Sequence, residues 1–159
     1  MANVIVIYYS QTGNTRKMAD FVADGVRAKD AEVTLKKVQD VKAEELLDYD
    51  GIIIGSPTYY GSMAWQVKKF LDESVSFHGE LEGKAGGAFT SAANIGGGNE
   101  TTISDILNAM LIHGMVIQGA AQGDHYGPVS IGEPNNRVEG QCKALGQRVA
   151  VLAQRGDEG

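Results

Sequence analysis

The chain has 159 residues, with 14 Lys and Arg against 20 Asp and Glu, giving a net charge of −6 at pH 7. The length suits one domain, residues 1–159, around one core. The acidic balance excludes a nucleic-acid phosphate backbone as partner. A single cysteine permits no internal disulfide and no cysteine-built iron–sulfur or zinc centre, so a reducing cytoplasm is the expected location.

Met1-Ala2-Asn3 leads directly into an apolar run. No basic segment followed by an apolar one precedes it, so no secretory signal is expected. No apolar run reaches the length of a membrane span. A first strand is predicted at 3–9. Met18, Phe21, Val22, Gly25 and Val26 then recur with helical spacing. A strand at 32–38, a short helix at 43–48 and a strand at 51–55 follow. Val67, Phe70 and Leu71 mark a helix, with Trp65 packed at its start. A strand at 85–90 precedes a helix marked by Ile103, Ile106, Leu107, Met110 and Leu111. A strand at 115–118 comes next, and residues 119–136 form the longest loop. Val138, Cys142, Leu145, Val149 and Leu152 mark the last helix, and Arg155 to Gly159 read as a frayed tail.

Alternating units of this kind predict an α/β fold, a doubly wound parallel sheet of five strands with helices on both faces. Such sheets bind ligands beyond the carboxyl ends of their strands. Three polar loops lie there: 10–15, 56–62 and 91–99.

Ser10-Gln11-Thr12-Gly13-Asn14-Thr15 joins the first strand to the first helix. The helix N–H groups that lack acceptors, the helix dipole and three hydroxyls together suit a phosphate. The stretch lacks the lysine of a P-loop and the G-x-G-x-x-G of a dinucleotide fold. Its simpler reading is a helix start capped by Asn14 or Thr15. In the second loop, Pro57 stiffens the exit from the third strand, before Thr58, Tyr59, Tyr60 and Gly61. Adjacent aromatics on a polar loop suit stacking on a flat ring. Taken singly, each tyrosine is better explained by packing under the loop or by plain exposure. The third loop holds Ser91, Ala92, Ala93, Asn94, Gly96 and Gly97. Its glycines allow close backbone approach, or simply a flexible surface turn.

Other signals lead elsewhere or nowhere. Cys142 to Arg148 matches C-x₅-R, but the cysteine falls on a helix's apolar stripe, where an inert buried thiol is expected. His78, His113 and His125 have no metal-ligating spacing. The first and third strands end at Tyr9-Ser10 and Gly55-Ser56, without the carboxylates of a phosphoacceptor receiver.

The order of a phosphate turn, Ser56-Pro57-Thr58-Tyr59-Tyr60-Gly61 and a glycine-rich third loop resembles the flavodoxin-like FMN proteins. Residues 46–118 resemble more closely the tryptophan-repressor-binding-like NAD(P)H:quinone oxidoreductases. Asp48–Thr58, Phe70-Leu71-Asp72, Gly96–Ile103 and His113–Ile117 carry that likeness. The phosphate turn itself is flavodoxin-like. The insertion with which those reductases build a tetramer is missing. His78 stands where they have an active-site tryptophan, and Ile112 where they have a histidine. The third loop is one residue longer.

The resemblance implies strand order 2-1-3-4-5 and FMN as cofactor. Ser10 to Thr15 would take the phosphate; Pro57, Thr58, Tyr59, Tyr60 and Gly61 would touch the ring; Ser91 to Gly97 would line its other edge. It also implies either NAD(P)H and a quinone or redox partner proteins, and a possible homo-oligomer. No side chain is expected to serve as a catalytic acid or base. Ser56–Ala64 and Ser91–Asn99 contain no Asp or Glu. Reduced flavin is therefore repelled less, which tips the reading toward a two-electron reductase over a one-electron carrier. A flavin-binding sensor is the third reading.

Overall fold

Strand β1 (Asn3–Tyr8) sets the frame. Its Val4, Val6 and Tyr8 face one side of the sheet and Ile5 and Ile7 the other, all of them buried. An apolar strand covered on both faces belongs at the centre of a parallel sheet. The computed structural model describes residues 1–157, and β1 is flanked there by β2 (Glu32–Lys37) and β3 (Gly51–Tyr59). Strands β5 (Ala85–Ala92) and β6 (Val116–Ile117) complete the order β2-β1-β3-β5-β6, with every neighbour in this path parallel. This is the doubly wound sheet expected.

Helices α1 (Asn14–Arg27) and α4 (Asn136–Asp157) cover one face. Helices α2 (Trp65–Glu73) and α3 (Asn99–Ile112) cover the other. Short 3₁₀ turns stand at Val38–Asp40, Ala43–Asp48 and Ser74–Phe77. No helix among the described residues is long and apolar enough to cross a membrane.

The boundaries differ from expectation in four places. First, β3 continues past Gly55 to Tyr59. Its end is clamped on one side by β5 (Ser56 opposite Thr90, Pro57 opposite Ser91). It also folds back on β4 (Ser62–Met63) as an antiparallel hairpin. Turn-forming residue types hid this strand end. Second, the fifth strand position is filled in two pieces. β6 pairs with Ala85 and Gly86, whereas β7 (Val129–Ile131) pairs with Thr90, Ser91 and Ala92. Three residues are too few to show a period within a loop.

Third, Trp65 is 69% exposed. The buried stripe of α2 is Val67, Phe70 and Leu71, and a residue two before Val67 lies about 200° around the helix from it. Fourth, α4 runs through Arg155 to Asp157. The rest of the predicted tail, residues 158–159, lies outside the described residues.

Helices α1 and α4 cross at glycines. A Cβ on Gly25 would collide with the backbone carbonyl of Lys143, and one on Gly146 with the carbonyl of Val22. Cys142, on the same stretch of α4, is fully buried, and burial pushes its thiol up to about 12. Iodoacetamide at pH 8 is therefore expected to leave Cys142 untouched in native protein and to label it only in denaturant, as mass spectrometry would show.

His113 is also buried, its ring stacked on Phe77 at 6.2 Å between centroids. Burial, with His78 adding to it, holds its imidazole below the ordinary histidine value near 6.5. The unfolded chain then binds the extra proton first, so this group's stability is complete above about pH 6.5 and is lost as pH falls through the depressed value. Urea midpoints from pH 7.5 to 5 should decline, and His113→Gln should flatten the decline.

Candidate cofactor site

The carboxyl ends of β1, β3 and β5 bring the three polar loops together. In the first, the Gly13 N–H donates to Ser10 Oγ (3.1 Å), which closes the turn. Gly13 itself is the N-cap, at φ 104°, a left-handed conformation suited to glycine. Asn14 and Thr15 are therefore not caps. Asn14 opens the helix, and Thr15 Oγ1 is engaged across the cleft with Ser91 Oγ at 2.7 Å. With no side-chain cap on α1, the first-turn N–H groups remain available to an anion.

The second loop is fixed from beneath. Thr90 Oγ1 donates to the Ser56 carbonyl (2.7 Å) and pairs with Thr58 Oγ1 (2.8 Å). Ser56 Oγ accepts the Ala64 N–H (2.8 Å), tying β3 to the start of α2. The two tyrosines then part. Tyr59 donates to Gln11 Oε1 at 2.9 Å, linking second loop to first. Burial, and Tyr9 nearby, raise the Tyr59 phenol above its ordinary value, so it stays protonated and a donor. Tyr60 is fully exposed, with its backbone at φ 48°. A bulky residue adopts that conformation only when a turn imposes it.

The turn is locked by α3. Thr101 Oγ1 donates to the Gly61 carbonyl (2.6 Å), and a Cβ on Gly98 would strike Gly61 Cα. Glycine at 98 thus lets the second and third loops touch backbone to backbone. In the third loop the Asn94 side chain donates to the Ile95 carbonyl (3.0 Å), and Ala93 to Gly96 are exposed.

A cleft of about 330 Å³ lies between the loops. Gln11, Thr12, Asn14 and Thr15 line it from the first loop, Pro57, Thr58 and Tyr59 from the second, and Ser91, Ala92 and Ala93 from the third. Ser10, Gly13, Tyr60, Gly61, Asn94, Gly96 and Gly97, also expected at the site, build the surrounding turns without lining this cleft. Gly132 joins the lining unforeseen, carried in by β7 and held by its N–H to the Ala92 carbonyl (2.9 Å). It sits inside the predicted long loop, and the Val129-Ser130-Ile131 strand before it is too short to signal itself in the sequence.

No lining residue is charged. Nearby, Lys17 is paired with Glu133 (3.2 Å). A phosphate here would be held by hydroxyls, amides and a helix N-terminus rather than by a cation. No group of three or more His, Cys, Asp or Glu among the described residues is placed to hold a metal.

A profile of the Flavodoxin domain matches residues 5–108, a stretch containing all three loops. A protein named flavodoxin from Aquifex aeolicus is 40% identical over 159 aligned residues, covering 94% of this chain and 86% of its own. A protein named NAD(P)H dehydrogenase (quinone) from Archaeoglobus fulgidus is 38% identical, covering 98% and 99%. Among solved structures, the flavodoxin, WrbA-like protein from Agrobacterium tumefaciens superposes with a TM-score of 0.81 at 29% identity, covering 98% and 99%. With its doubly wound sheet, its uncapped first helix and these likenesses, the chain belongs to the Flavodoxin domain family.

Proposed function

We propose that the chain is an FMN-dependent redox protein of the NAD(P)H:quinone oxidoreductase kind. The supporting observation is the cleft itself: its lining is uncharged, with an uncapped helix N-terminus on the first-loop side and Tyr59 on the second-loop wall. The donor set fits FMN. Thr12, Asn14, Thr15 and the first-turn N–H groups suit its phosphate. Tyr59, Tyr60, Thr58 and Gly61 suit its ring, with Ser91 to Gly97 along the other edge. FMN supplies the electron chemistry when bound; the protein supplies position and field.

The absence of carboxylates from the lining favours full two-electron reduction, since negative charge near the ring would oppose it. Tyr59 is the one titratable group in the lining, and its raised value removes it as a base near neutral pH. Protons therefore exchange with solvent. NAD(P)H and a quinone are the partners in this reading, and the cytoplasm its location.

The flavodoxin-like phosphate turn and the Aquifex aeolicus relative favour a second reading, a one-electron carrier serving redox proteins. Anaerobic mixing of the FMN-loaded protein with NADH or NADPH separates the two. Fast bleaching of the 450 nm region, followed by recovery on adding a quinone, is the expected result. Failure to bleach, with chemical reduction in two distinct one-electron stages, assigns the carrier. Protein that stays colourless in excess FMN ends both. Sedimentation of the loaded protein would fix its oligomeric state.

A further inference from the structure

A second cavity, about 530 Å³, lies between α2 and α3. None of its lining residues also lines the flavin cleft. Its volume is in the range of small-molecule sites. Met63, Leu71, Val75, Ala109 and Ile112 supply apolar wall, and Val75 and Ile112 are largely exposed around it. The charged groups are already engaged: Asp72 with Lys68 (2.7 Å), and Asp105 as acceptor from Ser62.

His113, 92% buried, lines the cavity together with Ser74. The proton positions follow from the contacts. Ser74 has one hydroxyl proton, and Oγ sits at short range from the Leu71 carbonyl, which can only accept. That proton is therefore committed. The 2.7 Å contact between Ser74 Oγ and His113 Nε2 must then be a donation from the ring. A neutral imidazole protonated at Nε2 has a bare lone pair at Nδ1. His113 Nδ1 is buried and has no partner among the described residues. A buried acceptor without a donor is costly and calls for one.

We propose that this cavity is a second ligand site, taking a neutral aromatic alcohol whose hydroxyl donates to His113 Nδ1. The walls ask for an apolar ring, since Met63 and the tilted His78 and His113 rings (centroids 5.7 Å apart) favour aromatic contact. The lone pair asks for a donor, which a carboxylate or an ether lacks. The wall carboxylates of Asp72 and Asp105 oppose an anion. Nδ1 is screened from water, and the exposed His78 ring is its neighbour ring at 5.7 Å between centroids, so a ligand would have to displace that ring to reach it. Exposed side chains change rotamer quickly. The site stands independently of whether the chain carries flavin.

The test titrates full-length, uniformly ¹⁵N-labelled protein with phenol, anisole and benzoate, with and without FMN. Phenol is expected to shift the His113 Nδ1 resonance and leave the Thr12 and Thr15 amides in place. It should bind roughly tenfold more tightly than anisole, the worth of one buried hydrogen bond; benzoate should not bind. His113→Phe keeps a ring at the site and removes every side-chain acceptor, while Ser74 keeps its bond to the Leu71 carbonyl, so phenol and anisole should become equal. Ala109→Phe, which fills the cavity, should abolish both. The proposal is overturned if phenol causes no shift, if phenol and anisole bind alike to the parent protein, or if His113→Phe keeps the preference. It also fails if sedimentation shows a second copy covering the cavity and excluding phenol.

Discussion

Replacing Thr12 and Thr15 together by valine is expected to weaken FMN binding at least a hundredfold while leaving the far-ultraviolet circular dichroism unchanged. Both residues line the cleft at the front of α1. A hydrogen bond to a charged group contributes about 1.5–3 kcal/mol. Two such donors removed give a loss of about 3–6 kcal/mol, which is a hundredfold or more. The remaining N–H groups and helix dipole would keep weak affinity. Thr15 also bonds Ser91 Oγ at 2.7 Å, so part of the loss reflects a loosened cleft wall. Ser91→Ala isolates that part, because it removes the partner and keeps the threonine. Calorimetric titration that finds the double variant within threefold of the parent would place the phosphate elsewhere.

Gly25→Ala and Gly146→Ala are each expected to destabilise the fold by about 3 kcal/mol or more. The sign carries the information. In an ordinary helix interior, alanine is better than glycine by about 1 kcal/mol. Here each added methyl meets backbone of the opposite helix, Lys143 in one case and Val22 in the other. A backbone carbonyl cannot rotate away as a side chain does, so α1 and α4 would have to separate and open the core between Val22, Val26, Cys142 and Leu145. Urea denaturation measures the effect directly. The two changes strain one crossing, so the double variant should cost less than the sum. A rise in midpoint for either single variant would show that the helices do not approach this closely.

The framework of the molecule was legible because β1, β3 and the helical stripes each carry a period that burial enforces. Val4 to Tyr8 and Ile52 to Ile54 are buried on both faces, and runs of that kind admit few other readings. The site was legible at the level of loops, since chain order alone places the three turns beyond the strand ends. What the sequence could not show was decided by contacts distant in the chain. The cap of α1 is Gly13, in a left-handed backbone conformation, and Thr15's hydroxyl is bonded instead to Ser91, 76 residues away. The two tyrosines are chemically identical, and their separate roles arise from the Gln11 partner of one and the left-handed backbone of the other. Gly132 entered the lining through a three-residue strand too brief for any pattern.

That divided fifth strand has a wider consequence. Residues 118–128 leave the sheet after β6 and return to it at β7, and both pieces lie on the same neighbour, β5. The return is anchored by Asp124, which accepts the Val129 N–H (2.9 Å) and holds Arg137 (3.0 Å). The outer margin of the sheet thus offers no long ladder on which another chain can grow, a guard against fibrous stacking. Just beyond β7 stands Gly132 in the cleft wall, so whatever grips the excursion from outside pulls on the pocket through a single short strand.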